Sequence, residues 1–173
     1  MSPSQPEAWL RGPLPDIAPA LMPAAHALVQ AREDIAAAVG GASEDDLWTR
    51  PGDAAAAGFH LRHMAGSLDR LYTYARGEPL SPDQLAALRA ESEPGGSATE
   101  LVERATAAID RALDQLRRTP KETLGEGRPV GRAKLPATVL GLLAHGAEHT
   151  ARHTGQLITT LKVVRGLGPV HAA

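Results

Sequence analysis

The chain of 173 residues contains no cysteine. This absence excludes a disulfide scaffold, a thiolate zinc site, an iron–sulfur cluster and a cysteine nucleophile. Aromatic residues are also scarce, and no apolar run reaches the roughly 20 residues that a membrane-spanning helix needs. The net charge of −2 lacks the positive excess that attracts nucleic acid. We therefore expect no nucleic-acid partner and no membrane partner.

The proline-rich N-terminal residues lack the basic start and apolar core of a secretory signal. We expect a cytoplasmic protein.

Alanine and leucine dominate instead, at 32 and 22 positions. Both favour helices, and the β-branched residues that favour strands are few. Apolar residues at helical spacing predict four long helices. These are expected at about 17–39, 54–75, 98–116 and 137–165.

The predicted fold is all-α, a four-helix bundle. Residues 78–97 form a long connection between helices two and three, with a short helical piece, while 119–135 is expected to be a loop. The connection is long enough to cross the end of the bundle and let helices two and three run parallel. We divide the chain into an extended N-terminal arm at 1–15, the bundle at 16–166 and a C-terminal tail at 167–173.

Seven histidines are present, and five of them fall in two short windows. His60 and His63 lie on helix two, whereas His145, His149 and His153 lie on helix four. At about 100° per residue, His149 and His153 are about 40° apart inside the apolar stripe of helix four, and His145 is on its border. A histidine pair at i, i+4 is the usual helical way to direct two imidazoles at one metal. One histidine from helix two would complete a three-histidine site in the bundle core.

Three neutral ligands leave coordination positions open for water or substrate, as in a reactive rather than a structural metal site. Imidazole ligation suits zinc, nickel, iron and copper. Zinc and nickel are our first choices for a divalent metal.

Two other interpretations of the histidines stay open. His145, Glu148 and His149 match the H-x-x-E-H pattern of inverted zinc peptidases, but that site would leave His153 unused. Alternatively, all five are ordinary core and surface histidines of an Ala-rich bundle.

Weaker candidates surround these windows. Ser67, Arg70 and Tyr74 continue the histidine side of helix two and are candidates to line a pocket, and Gln156 is a candidate to orient a ligand histidine. His26 and His171 are interpreted as incidental.

Three segments carry a family resemblance. They are Trp48-Thr-Arg-Pro-Gly, the segment from Phe59 to Gly77 that contains His63, and Ala147-Glu-His149-Thr-Ala-Arg-His153-Thr-Gly-Gln-Leu. Together they resemble the DinB-like (damage-inducible) superfamily of metal-binding helical bundles, which includes bacillithiol and mycothiol S-transferase-type proteins.

The resemblance implies an up-down-down-up bundle, often a homodimer, with a divalent metal on His63, His149 and His153. It also implies a thiol S-transferase, or a related isomerase or hydrolase, acting on a small molecule with an external low-molecular-weight thiol or water. The additional His60 and His145 are departures that leave two competing ligands. A non-catalytic, stress-associated metal-binding module is the alternative. The DNA-binding role that the superfamily name suggests conflicts with the net charge.

Overall fold

The computed structural model describes residues 5–166. The chain is mainly helical, as predicted, with one small antiparallel hairpin in the described range. Its elements are α1 Met22–Val39, α2 Glu44–Trp48, α3 Ala57–Ala75, α4 Pro82–Arg89, α5 Ala98–Arg118, β1 Gly127–Val130, β2 Leu135–Thr138 and α6 Val139–Gly166. The four predicted long helices correspond to α1, α3, α5 and α6.

Three helices begin with the same local signal. Ser43, Ser81 and Ser97 are the N-caps of α2, α4 and α5, and each forms a capping box with the residue three positions later. The serine hydroxyl accepts a backbone N–H that would otherwise lack a partner in the first helical turn. Because this signal is local, it fixes where the short helix of the long connection and the helix after it begin.

The hairpin is the main departure from the predicted elements. Residues 119–135 were expected to form a loop, and helix four to begin directly after Pro136. Instead β1 pairs with β2, with Pro129 opposite Pro136, and α6 begins at Val139. Proline donates no backbone hydrogen bond and is depleted in strands, so its presence on both sides of the hairpin hides the strands from a sequence pattern.

The long helices pack around one hydrophobic core. Helix α6 contacts α1 and α3, and α5 contacts the same two helices. The close approach of α3 and α6 depends on Gly146, because a Cβ atom there would lie 2.7 Å from Cε2 of Tyr72. This contact brings the histidine window of α3 against that of α6.

The described part of the predicted arm, residues 5–15, contains a 3-10 turn at Ala8–Arg11. Ala8 is buried and Arg11 pairs with Glu33 of α1 through two hydrogen bonds of 2.6 Å, while Trp9 and Leu10 are exposed. Residues 1–4 and the tail at 167–173 lie outside the described residues, so the proposed division into arm, bundle and tail stays a prediction. Within 5–166, no helix has both the length and the apolar character needed to cross a membrane.

Candidate metal centre

One turn of α3 carries three residues with separate partners. His60 and His63 are three positions apart and therefore lie on the same side of the helix, where both contact α6. Arg62 contacts the long connection instead. α3 begins at Ala57, three residues after the predicted start, so His60 lies in its first helical turn. The early position leaves this end of α3 facing both α6 and the long connection.

Helix α6 supplies His149 and His153, but not from the centre of its buried face. Both are half-buried, whereas Thr150 and Thr154 are buried. The expectation that the two histidines lie inside the buried stripe is wrong, because the buried face of α6 is turned toward Thr150 and Thr154. Each threonine hydroxyl donates to the carbonyl four residues earlier, and the side chain can therefore be buried beside leucines. The pair lies at the edge of the helix contact, where solvent can reach it.

His63, His149 and His153 form a cluster. One nitrogen from each imidazole lies within 4.8 Å of the others. Nε2 of His63 is 2.9 Å from Nε2 of His149, and the His153 ring centroid is 4.5 Å from each of the other two rings. Three histidines close together can bind a metal ion, and they come from the two windows that the sequence indicates.

Glu91 orients His63 from outside the cluster. Nδ1 of His63 donates to Oε2 of Glu91 at 2.7 Å, and Oε1 of Glu91 accepts from Nη1 of Arg70 at 2.7 Å. The carboxylate is 5% exposed and therefore depends on these partners. The sequence interpretation missed Glu91; its only signal was Arg70, a cation on the histidine side of α3 that needs a counterion when buried.

Arg62 holds the connection that delivers Glu91. Its guanidinium donates to the carbonyl oxygens of Ala90, Glu93 and Gly95 at 3.0, 2.5 and 2.7 Å. It also lies 5.0 Å from the centroid of the Trp48 ring, in cation–π geometry. The residues on both sides of Glu91 are thus fixed to the same helical turn that carries His63.

His60 is separate from the cluster and contacts one of its members. Nδ1 of His60 lies 3.0 Å from Nδ1 of His153, and His60 is 5% exposed. Burial, with a smaller contribution from neighbouring His63, lowers the pKa of His60 to about 4. Burial and the neighbouring histidines also lower the pKa of His153 to about 4, and burial lowers that of His149. These imidazoles are neutral at neutral pH, which is the form that binds metals.

The hydrogen bonds fit a metal at the cluster. His63 donates from Nδ1 to Glu91, and because a neutral imidazole carries one N–H, the neutral form of His63 has a free lone pair on Nε2. This Nε2 faces Nε2 of His149. Nδ1 of His149 is buried and has no hydrogen-bond partner among residues 5–166. Its directed contact is therefore made through Nε2, toward the cluster, and the all-nitrogen donor set suits a divalent transition metal.

The remaining candidates do not join the cluster. The His145 side chain is 52% exposed and lies beside Glu148 at 3.4 Å, which gives the H-x-x-E-H interpretation no support. Ser67 is buried and donates to its own helix, and Gln156 is exposed. His26 contacts the carbonyl of Gly12 at 2.9 Å. His171 lies outside the described residues.

The fold and the cluster together define the class of protein: it is mainly helical, with three histidines between two long helices that can bind a metal ion. A family model for the DinB superfamily matches residues 27–157. The chain belongs to this superfamily, and the match extends from α1 through both histidine windows. A comparison with curated proteins gives no match.

Proposed function

We propose that the protein is a metal-dependent enzyme, a thiol S-transferase or a related isomerase or hydrolase, with His63, His149 and His153 as the metal ligands. The nucleophile is an external low-molecular-weight thiol or water. Zinc and nickel are the first metals to test. The substrate is a small molecule.

One observation carries the proposal: among the described residues, the cluster of ligand atoms within 4.8 Å of one another contains three histidines and no fourth His, Cys, Asp or Glu side chain. Three protein ligands leave a coordination position for an exchangeable molecule, as in catalytic rather than structural sites. The half-buried position of all three imidazoles is consistent with access from solvent.

The surrounding residues would prepare the three histidines for this role. A bound divalent metal would lower the pKa of a coordinated water or thiol, so that a nucleophile forms near neutral pH. Glu91 keeps the proton of His63 on Nδ1 and leaves Nε2 free. Phe59 stacks on His63, with ring centroids 5.2 Å apart, and restricts its rotation.

The reacting thiol has to come from a cosubstrate, because the sequence contains no cysteine. A cavity of about 520 Å³ lies beside His60 and is lined on α6 by Arg152, Gly155, Gln156 and Thr159. Its volume is in the range of small-molecule pockets. Its lining includes His60 but none of the three proposed metal ligands.

Metal content tests the ligand assignment. We expect His149→Ala to lose most of the metal measured by elemental analysis of the purified protein. His145→Ala is the matched control, since it removes an exposed histidine from the same helix and should retain the metal. Equal metal content in wild type and His149→Ala would refute the assignment.

Thiol transfer tests the activity. The zinc- or nickel-loaded protein is given bacillithiol, mycothiol or glutathione together with chlorodinitrobenzene. The expected reaction forms a carbon–sulfur bond, releases chloride and passes the thiol proton to solvent. A protein that retains its metal but neither transfers any of these thiols nor hydrolyses a model ester would favour the non-catalytic metal-binding module instead.

The family resemblance supports two finer proposals, an up-down-down-up order for the four long helices and a homodimer. We also propose a cytoplasmic location. Light scattering of the purified protein tests the dimer, and a monomer at micromolar concentration would contradict it.

A further inference from the structure

We infer that His60 is a positioning residue for His153: it accepts a hydrogen bond from Nδ1–H of His153 and so keeps Nε2 of His153 free for the metal. The inference rests on the proposed metal site and adds a residue outside the three ligands. It starts from one contact, the 3.0 Å separation between the two Nδ1 atoms.

The contact allows two proton arrangements, and they differ in their consequence for metal binding. Two neutral imidazoles that meet through Nδ1 share one proton between these atoms. If His60 donates, the single N–H of neutral His153 is on Nε2, and that nitrogen is blocked. If His153 donates, its Nε2 carries a lone pair. Only the second arrangement is compatible with His153 as a ligand, so His60 has to be the acceptor.

His63 has the same relationship with a different acceptor. Its Nδ1 donates to Glu91 at 2.7 Å, which leaves Nε2 toward the cluster. Two of the three cluster histidines are therefore held through Nδ1 by a buried partner, a carboxylate for one and an imidazole for the other. Partners of this kind raise the basicity of a ligand histidine and fix its ring.

His60 is held in place well enough to act in this way. It lies in the first turn of α3, is 5% exposed, and its ring meets Phe59 edge-on with centroids 5.5 Å apart. Its Nδ1 is already engaged by His153, and it is not a member of the three-histidine cluster. The contact therefore favours a positioning role over that of a fourth ligand.

Two substitutions separate this role from simple packing. His60→Asn keeps an oxygen acceptor near the position of Nδ1, whereas His60→Leu keeps an apolar side chain and removes the acceptor. We expect His60→Leu to bind zinc about 10–100-fold more weakly than wild type in competition with a chromophoric chelator. We expect His60→Asn to remain within about threefold of wild type. Circular dichroism and the melting temperature confirm that each variant is folded.

A spectroscopic readout tests the tautomer directly. In zinc-loaded, nitrogen-15-labelled wild type, the His153 signal should show a proton on Nδ1, shifted downfield by its hydrogen bond. This shift should move in His60→Leu and be largely restored in His60→Asn. Equal zinc affinity in wild type and His60→Leu would overturn the inference. Equal loss in both variants, with a changed cobalt absorption spectrum, would also overturn it and assign His60 as a ligand. Failure of wild type to bind any metal would instead refute the proposed function.

Discussion

Glu91 and His63 are joined by a hydrogen bond of 2.7 Å although they lie 28 residues apart. The same carboxylate pairs with Arg70, so a single buried side chain connects the long connection after α3 to two positions on that helix. The connection is therefore part of the candidate site and not only a link between helices.

Glu91→Gln tests this contact. An amide is a weaker acceptor for Nδ1–H of His63 and no longer neutralises the buried Arg70. We expect zinc affinity to fall about 10–100-fold, and the free energy of unfolding of the metal-free protein to fall by about 3 kcal/mol. Glu93→Gln is the control, because this exposed carboxylate is in the same segment. Unchanged zinc affinity in Glu91→Gln would contradict the orienting role.

Gly66 leaves room for the Arg70–Glu91 pair. A Cβ atom at Gly66 would lie 2.6 Å from Oε1 of Glu91 and 2.7 Å from Nη1 of Arg70. Alanine favours a helix interior by about 1 kcal/mol over glycine, but here it has to displace a buried ion pair. We expect Gly66→Ala to give no gain in stability and to lower zinc affinity about tenfold.

Gly155→Ala is the matched control, since a Cβ atom there meets open space. Its free energy of unfolding should rise by about 0.5–1 kcal/mol. If denaturant unfolding shows the same gain for Gly66→Ala, with wild-type zinc affinity, the steric argument is wrong.

Arg62 fixes the backbone around Glu91 through three carbonyl groups. Lysine keeps the charge but not the planar fork of donors. In Arg62→Lys we expect amide hydrogen exchange across 90–97 to accelerate about tenfold, corresponding to a loss of about 1.4 kcal/mol in local stability. Zinc affinity should fall as well, because Glu91 becomes less well positioned. Arg89→Lys, an exposed change on α4, is the control and should leave both measurements unchanged. If Arg62→Lys protects the amides of 90–97 as well as wild type does, this role of the guanidinium is refuted.

Local signals explain which parts could be predicted from the sequence. Apolar residues at helical spacing and the i, i+4 histidine pair are patterns within single helices, and they predicted the four long helices and two of the three histidines of the cluster. Glu91 belongs to a segment without hydrophobic periodicity. Its role depends on tertiary contacts between the long connection and His63 and Arg70 of α3. Thr150 and Thr154 moved the buried face of α6 because their hydroxyls bond to their own helix, so a pattern based on apolar residues placed His149 and His153 too deep.

Tyr72 gives the interface of α3 and α6 a predictable response to alkaline pH. The side chain is 2% exposed, its hydroxyl donates to the carbonyl of Leu143 at 3.2 Å, and its ring lies against Gly146. Burial raises the pKa of Tyr72 well above its ordinary value. The unfolded chain therefore releases this proton at about pH 10, while the folded protein retains it.

Above pH 10 the unfolded state binds fewer protons than the folded state, so the contribution of Tyr72 to stability decreases as pH rises. One pH unit above the unfolded pKa, this loss is about 1.4 kcal/mol. Tyr72→Phe should cost about 1 kcal/mol at pH 7 through the lost hydrogen bond, yet it cannot ionise. Urea unfolding at pH 7 should therefore show that wild type is more stable than Tyr72→Phe. At pH 11 the two proteins should be equally stable, or Tyr72→Phe should be the more stable one. A constant difference between the two proteins would mean that Tyr72 ionises in the folded state as readily as in the unfolded chain.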